Sequence, residues 1–435
     1  DPGRAVGPFR RVDLTMRAVV ADLTTARYLL TAAAQKVPAG RGKAAGWGPG
    51  GLLRLVEDQP PPRLPAAPGW VRLYPELSGI CGSDVGVAHA KSSFVLSAYY
   101  TAERQILGHE IVAVVAETGP GVTSVAEGDR VVVDPVLSCV HRGFDPVCRS
   151  CAEGFPYICE RFDEPGAAGC ASPTLGFDAA LGGGWSQEVV AHQSQLHRVE
   201  GIGSRRAVLA EPASIALHAA LQWRRRGDRV VVIGPGTIGL LVTAALRMLH
   251  PDLDIIMASP DDFGTAQALA AGATRAVPSG RAGVEALAAT DGGRLLRPRM
   301  TPLPILQRGV DAVFDCVGSA ATIDLALHLL RPTGTLVLIG GAGKQDVDWS
   351  LVWNRQLTVQ GTINFGPEPA LDGRHTMAQV VEWLADPRYP VDSLVTHTFD
   401  LAQWRGGLTA ASAGPRAGAV KVTLRPHPEL PLVPS

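Results

Sequence analysis

The chain has 435 residues, of which 46% are hydrophobic and 19% charged, and its formal net charge is -1. That length exceeds what one ordinary hydrophobic core organises, so two or three domains are expected, with two the working number. The near-neutral balance gives no electrostatic reason for nucleic acid or an anionic membrane as partner, and a small-molecule ligand is expected instead.

Residues 1–15 carry arginines but no continuous apolar stretch before a small-residue cleavage site, so no secretory signal is read there and a cytoplasmic location is expected. Residues 16–20 read as a first strand, and the Gly-rich 35–51 and Pro-rich 59–69 read as surface loops. From 70 to 134, short Val/Ile-rich runs at 71–73, 110–115 and 129–133 lie between Gly and Asp, the pattern of a β-rich domain. From about 205 onward, apolar strand-like runs alternate with alanine-rich helical ones: Arg229–Ile233 then Thr237–Leu249, 255–258 then 265–271, 312–314 then 321–330, and finally 335–339. Such alternation predicts a parallel sheet covered on both faces. The tail, 377–424, reads as one helix and two short strands packing back on the first domain. No apolar run approaches the roughly 20 residues of a membrane span.

Gly234-Pro235-Gly236-Thr237-Ile238-Gly239 sits between a strand and an apolar helix, the context in which G-x-G-x-x-G binds a dinucleotide. The first glycine permits the turn, the second lets backbone N–H groups approach a pyrophosphate, and the third allows close helix–strand packing. At the end of the following strand, where an acidic residue holds the ribose of NAD, stands Ser259. No Arg or Lys adjoins it and Asp261 and Asp262 follow, so NAD(H) and NADP(H) both stay open.

Seven cysteines are few for a disulfide scaffold of this length, yet Cys139, Cys148, Cys151 and Cys159 crowd into one loop. Four thiolates around a Cys-x2-Cys pair suit a closed tetrahedral zinc site, with free or disulfide-bonded cysteines as the alternative. A dispersed set comprises Cys81, the pair His109-Glu110, and Glu211. A thiolate, an imidazole and a carboxylate with one open position would make a catalytic zinc, although each residue singly reads as an ordinary buried side chain.

Taken in order, Gly79-Ile-Cys81-Gly-Ser83-Asp84, Gly108-His109-Glu110, the cysteine lobe, Gly182-Gly-Gly-Trp185-Ser, Glu211-Pro-Ala and the dinucleotide loop resemble the zinc-containing alcohol dehydrogenases of the medium-chain dehydrogenase/reductase superfamily, from residue 16 onward. The resemblance is to the sorbitol and threonine dehydrogenase branch. It implies an α/β chain with a GroES-like β-rich catalytic domain over 1–211, a structural zinc lobe at 139–159, a Rossmann doubly wound parallel-sheet domain over 212–366, and a segment 367–435 returning to the catalytic domain. It implies two zinc ions per chain. The catalytic one is held by Cys81, His109 and Glu211, with Glu110 beside the metal, and the structural one by Cys139, Cys148, Cys151 and Cys159. Asp84 would orient His109, which fixes the imidazole tautomer and raises its basicity, and Ser83 would start the proton relay. The reaction implied is hydride transfer between a nicotinamide cofactor and an alcohol or carbonyl, in a homodimer or homotetramer pairing near 357–362.

Three departures stand out. The interval from Cys81 to His109 is long, and residues 91–101, with Phe94, Tyr99 and Tyr100, are expected to shape the substrate pocket. Eight residues lie between Cys139 and Cys148 where the family pattern has two, which makes His141 the possible substitute for Cys139. Gly86 stands where a relay histidine is usual, leaving His89 as the candidate. Trp185 reads equally as a cleft residue or as packing, Cys316 as a buried strand residue, and Cys170 carries no assigned role. Two other readings share these motifs: a C=N or C=C reductase acting on an imine or alkene, and a non-catalytic dinucleotide-binding sensor or scaffold.

Overall fold

The computed structural model describes residues 15–35, 46–290 and 292–434. The sequence readings for 1–14 and for 36–45 fall outside these. The described residues form two compact units: those up to 208 with 398–409 and 423–434 make the first, and those of 209–397 with 410–422 the second. The units change over at 208 and 397, against an expectation of 211 and 366, and 367–397 with 410–422 groups with the dinucleotide-binding unit. The reason is packing: helix Thr376–Ala385 buries Met377, Val380 and Leu384, and its main helical neighbour is Ala210–Gln222.

The first unit is built on antiparallel sheets. Trp70–Ile80, buried along its whole length, pairs with Ile111–Thr118 and with Val189–His192. Arg130–Val133 and Leu196–Arg198 extend this sheet on one side, and Lys421–Arg425 then Val395–Asp400 on the other. The later halves of those last two strands belong to this unit. A three-stranded sheet places Met16–Asp22 between Leu53–Gln59 and Arg104–Ile106. Val71, Leu73, Ile111, Ala113, Val131 and Val133 fill the core between the strands. Helix Thr25–Ala34, which the sequence reading passed over, lies near the surface and leaves Leu29 and Leu30 exposed.

The second unit is a six-stranded parallel sheet in the order Arg275–Pro278, Asp254–Ser259, Arg229–Ile233, Val310–Asp315, Leu330–Leu338, Thr358–Gly361. The chain starts in the centre, winds outward to one edge and then crosses to the other, the doubly wound order of dinucleotide-binding folds. Val230, Val231 and Val232 are all fully buried in the central strand, as a sheet with helices on both faces requires. Thr237–Leu249, Asp262–Ala270, Arg281–Thr290 and Ala320–Leu329 are the covering helices. The two-domain reading and its fold class hold. A short hairpin, Leu295–Leu296 with Ile305–Leu306, and a second tail helix, Trp404–Ala413, add to the expected elements. The adjacent Gly406 and Gly407 had disguised that helix, which buries Trp404, Gly407 and Leu408. Among the described residues no helix is long and apolar enough to cross a membrane.

Candidate active site

Cys81, His109 and Glu110 are far apart in sequence and adjacent in space: one ligand atom from each lies within 4.8 Å of the others. Strand Trp70–Ile80 delivers Cys81 at its end, where the chain turns into the short helix Gly82–Ala88. His109 and Glu110 stand just before Ile111–Thr118, which is hydrogen-bonded to that same strand, so sheet register sets the separation. Two glycines clear the space. A Cβ on Gly79 would overlap the Glu110 carboxylate, and one on Gly108, whose φ is +93°, would overlap the Trp185 ring. Trp185 is fully buried and donates its indole N–H to the Gly79 carbonyl oxygen at 3.2 Å. Of its two sequence readings, packing is the one seen.

Asp84 lies beside two members of the trio. Its fully buried carboxylate accepts the Cys81 backbone N–H through Oδ2 at 2.9 Å, while Oδ1 stands 3.7 Å from His109 Nδ1. Ser83 is exposed in the first turn of the same helix. His89 is buried edge-on to Trp47 at 5.0 Å, and burial followed by the charge of Lys91 lowers its pKa. Phe177, which the sequence did not single out, packs 5.3 Å from His109 and 5.1 Å from Tyr100. Tyr99 stacks on Phe162 at 4.9 Å and 13°. Tyr100 thus reaches His109 through Phe177, and Tyr99 packs just past the cysteine lobe, whereas Phe94 stays 70% exposed.

The four lobe cysteines also converge, with one sulfur each inside 4.8 Å of the rest. Cys139 Sγ is 3.6 Å from Cys159 Sγ, and Cys148 Sγ is 3.9 Å from it. A tetrahedral zinc with bonds of about 2.3 Å puts its sulfurs about 3.8 Å apart, whereas a disulfide needs about 2.05 Å. All seven cysteines are free thiols, and the spacing fits a metal. Cys139 is inside the group despite its eight-residue offset, because helix Cys139–Arg142 takes up the extra chain. His141 turns away: its Nδ1 accepts the Ser138 N–H at 2.8 Å, Nε2 is 3.2 Å from Ser194 Oγ, and burial pushes its pKa down to about 3. Arg142 is the structural residue the sequence reading missed. Almost fully buried, it donates to the carbonyl oxygens of Ser138, Phe162, Glu164 and Ser172, tying both ends of the lobe together.

In the second unit, the three loop glycines meet three different constraints. Gly234 has φ +96°, a Cβ on Gly239 would overlap the Gly234 carbonyl oxygen, and a Cβ on Gly236 would meet nothing within 4 Å. The open glycine faces free space, as a backbone that must admit pyrophosphate requires. Helix Thr237–Leu249 takes no side-chain cap at Gly236 and has no acidic residue in its first turn, so its N-terminal N–H groups are left for an anion. Gly239→Ala is expected to weaken NAD(H) binding by at least about tenfold, since the loop must shift to admit a methyl group. Fluorescence titration with NADH checks this. Cys316 lies one residue past strand Val310–Asp315 and is half-buried, not inside the strand as its apolar setting suggested, and burial raises its pKa well above the ordinary thiol value. Cys170 is buried in the core of the first unit. Glu211 belongs to the second unit, buried in the first turn of helix Ala210–Gln222.

Residues 67–201 match the alcohol dehydrogenase GroES-like domain and 237–386 the zinc-binding dehydrogenase domain, together well over half of the chain. The chain belongs to the zinc-containing alcohol dehydrogenase family. The dehydrogenase is 28% identical over 365 residues to a probable D-xylulose reductase A of Aspergillus clavatus, covering 82% of this chain and 90% of that protein. It is 26% identical to a sorbitol dehydrogenase of Halalkalibacterium halodurans, over 85% of this chain and 95% of that one. The structure of 2R,3R-butanediol dehydrogenase from Bacillus subtilis shares its fold, with a TM-score of 0.65 at 23% identity over 86% of this chain and 96% of that. The dehydrogenase is accordingly an NAD(P)-dependent, zinc-dependent oxidoreductase of the alcohol–carbonyl interconversion.

Proposed function

We propose that the dehydrogenase interconverts a secondary alcohol and a ketone in a small polyhydroxylated substrate. The convergence of Cys81, His109 and Glu110 carries the metal-site part of this reading, and the sugar-alcohol names of the relatives support the substrate class. Cys81 and His109 would hold the catalytic zinc with a carboxylate, from Glu110 as placed in the trio or from Glu211 as the family resemblance implies. Cys139, Cys148, Cys151 and Cys159 would hold a second zinc. Zinc, when bound, polarises the substrate oxygen, and the nicotinamide exchanges the hydride.

The chain's own residues supply the remainder. Asp84 holds the Cys81 backbone and the His109 ring in one arrangement, which lowers the cost of assembling the site. The exposed Ser83 hydroxyl, two residues from Cys81, would accept the alcohol proton as it releases its own to solvent water, and run the same exchange in reverse for carbonyl reduction. Tyr100 and Phe177 pack toward His109 and limit what lies against it. Gly234–Gly239 and the uncapped helix receive the dinucleotide. Ser259 lies near its adenosine end.

A location in the cytoplasm suits four clustered free thiols, which a reducing compartment preserves. The small-molecule substrate needs neither nucleic acid nor a membrane as partner. Thr358–Gly361 is the open edge of the six-stranded sheet and every one of its residues is exposed, so we place a homodimer or homotetramer contact there. Sedimentation at twice or four times the chain mass is expected, and a monomer would remove that contact.

The test is oxidation of a panel of sugar alcohols, vicinal diols and simple alcohols, with NAD+ and NADP+ each supplied. Turnover of sugar alcohols above the simple ones is expected. Activity confined to simple alcohols would sink the substrate class, and reduction of imines or alkenes alone would sink the reaction.

A further inference from the structure

A dinucleotide on the glycine loop lays its adenosine ribose beyond the end of the second strand. There an acidic side chain accepts the 2′-hydroxyl of NAD, or an arginine accommodates the 2′-phosphate of NADP. Ser259 ends that strand here, and it is not available for either duty. It is buried, its Oγ donates to the Asp261 carbonyl oxygen at 2.8 Å, and the Asp261 N–H returns to the same Oγ at 3.4 Å. The serine hydroxyl folds the chain into a tight turn that carries Asp261 outward.

Asp261 is exposed, with extended backbone at φ -154°, and caps helix Asp262–Ala270: its Oδ1 accepts the Gly264 N–H at 2.7 Å. Gly264 is wedged against the glycine loop, for a Cβ there would overlap the Pro235 ring and lie 2.7 Å from Ser259 Oγ. The Asp261 carboxylate is therefore anchored to a residue that touches the dinucleotide loop itself. The cap uses Oδ1, so Oδ2 faces no cap donor. On the neighbouring strand's side of the turn, the Ser279 N–H donates to the Ser259 carbonyl oxygen at 3.1 Å. Arg281, two residues later, pairs with Glu285 at 3.0 Å. The rim thus carries two exposed carboxylates, Asp261 and Asp262, while Arg281 is engaged with Glu285, a carboxylate it shares with Arg297 at 3.3 Å.

We propose that Asp261 performs the ribose-binding duty that Ser259 has given up, and that the dehydrogenase therefore binds NAD(H) in preference to NADP(H). A free 2′-hydroxyl donates to the carboxylate. A 2′-phosphate, carrying a charge of about -1.5 to -2, meets the carboxylates of Asp261 and Asp262 and is repelled by both. Asp261 is a specificity residue under this assignment, and the assignment rests on the dinucleotide-site reading above.

Separate titrations of the purified holoenzyme with NADH and NADPH, followed by nicotinamide fluorescence, give the two Kd values without any substrate. NADH is expected to bind at least about tenfold tighter, the scale of one or two charge contacts at partly solvated distances. Asp261→Asn keeps the helix cap, since Asn caps as well as Asp, and is expected to narrow the ratio by about tenfold with an unchanged melting temperature. Asp262→Asn is expected to narrow it less. NADPH binding as tightly as NADH overturns the proposal, and so does an Asp261→Asn variant whose ratio does not move. Failure of both nucleotides to bind is a separate result: it removes the dinucleotide site, and the proposal with it.

Discussion

His109→Ala, or Cys81→Ala, is expected to lower kcat/KM by at least about 10³-fold while leaving the affinity for NADH unchanged. Three ligand atoms within 4.8 Å of one another could hold one cation, and deleting Cys81 or His109 removes one of them, which is expected to cost the zinc. Polarising the substrate oxygen is worth several kcal/mol, and that contribution goes with the metal. The glycine loop belongs to the other unit and keeps its geometry. Steady-state kinetics, NADH titration and zinc determination on the same preparation check all three parts. A variant with full turnover would take the metal out of the mechanism. One that also loses NADH binding would signal general unfolding, which Cys81→Ser, a smaller change in volume, would distinguish.

Cys148→Ser is expected to cost one zinc per chain and to produce a separate, lower-temperature unfolding step, with the remaining zinc retained. The lobe has almost no apolar core: its buried cluster is Cys139, Cys148 and Cys159 themselves, with Phe144 and Cys151 packed against it, while Val140, Val147, Phe155 and Ile158 face solvent. Structural zinc in small domains carries an apparent binding free energy of about 10–16 kcal/mol, far more than such a cluster gains from burial. Metal-free, the thiols are poorly matched to one another. Burial pushes Cys159 up to about 11. At Cys148 burial also acts upward, but hydrogen bonds from the backbone of Cys151 and Glu160 and with the Cys151 and Cys139 side chains together bring that thiol down to about 7. Because Tyr99 stacks on Phe162 just past the lobe and Tyr100 packs on Phe177 beside His109, loosening the lobe is expected to raise KM more than it lowers kcat. Calorimetry and elemental analysis decide the first part. Two zinc ions retained in Cys148→Ser would place the second metal elsewhere.

Much of this was legible before any coordinates. The dinucleotide loop is a local motif whose glycines answer to local sterics, and the order of strands and helices around it follows from periodicity over a dozen residues at a time. The cysteine lobe could be read because all four ligands lie within one short loop. The Cys81, His109 and Glu110 trio could not be united by spacing, since 27 residues lie between Cys81 and His109. Only the pairing of Trp70–Ile80 with Ile111–Thr118 brings them together. Helix Trp404–Ala413 escaped because its Gly406 and Gly407 lower helix propensity, and its contacts, Phe399, Ile80 and Leu424, lie outside any sequence window.

By itself, then, the amino-acid sequence determined what short-range chemistry can encode: the fold class, the glycine loop, the four-thiolate lobe and the residue types able to bind zinc. Tertiary structure alone decided the questions that turn on contacts between distant segments. It showed that Cys139 rather than His141 completes the lobe, that Trp185 packs instead of lining a cleft, and that Arg142 ties the lobe closed. It also showed that Ser259 is spent on a turn that presents Asp261. Each of these depends on where a side chain points once the backbone is fixed, and that direction is set by packing and register rather than by the residues beside it in the chain.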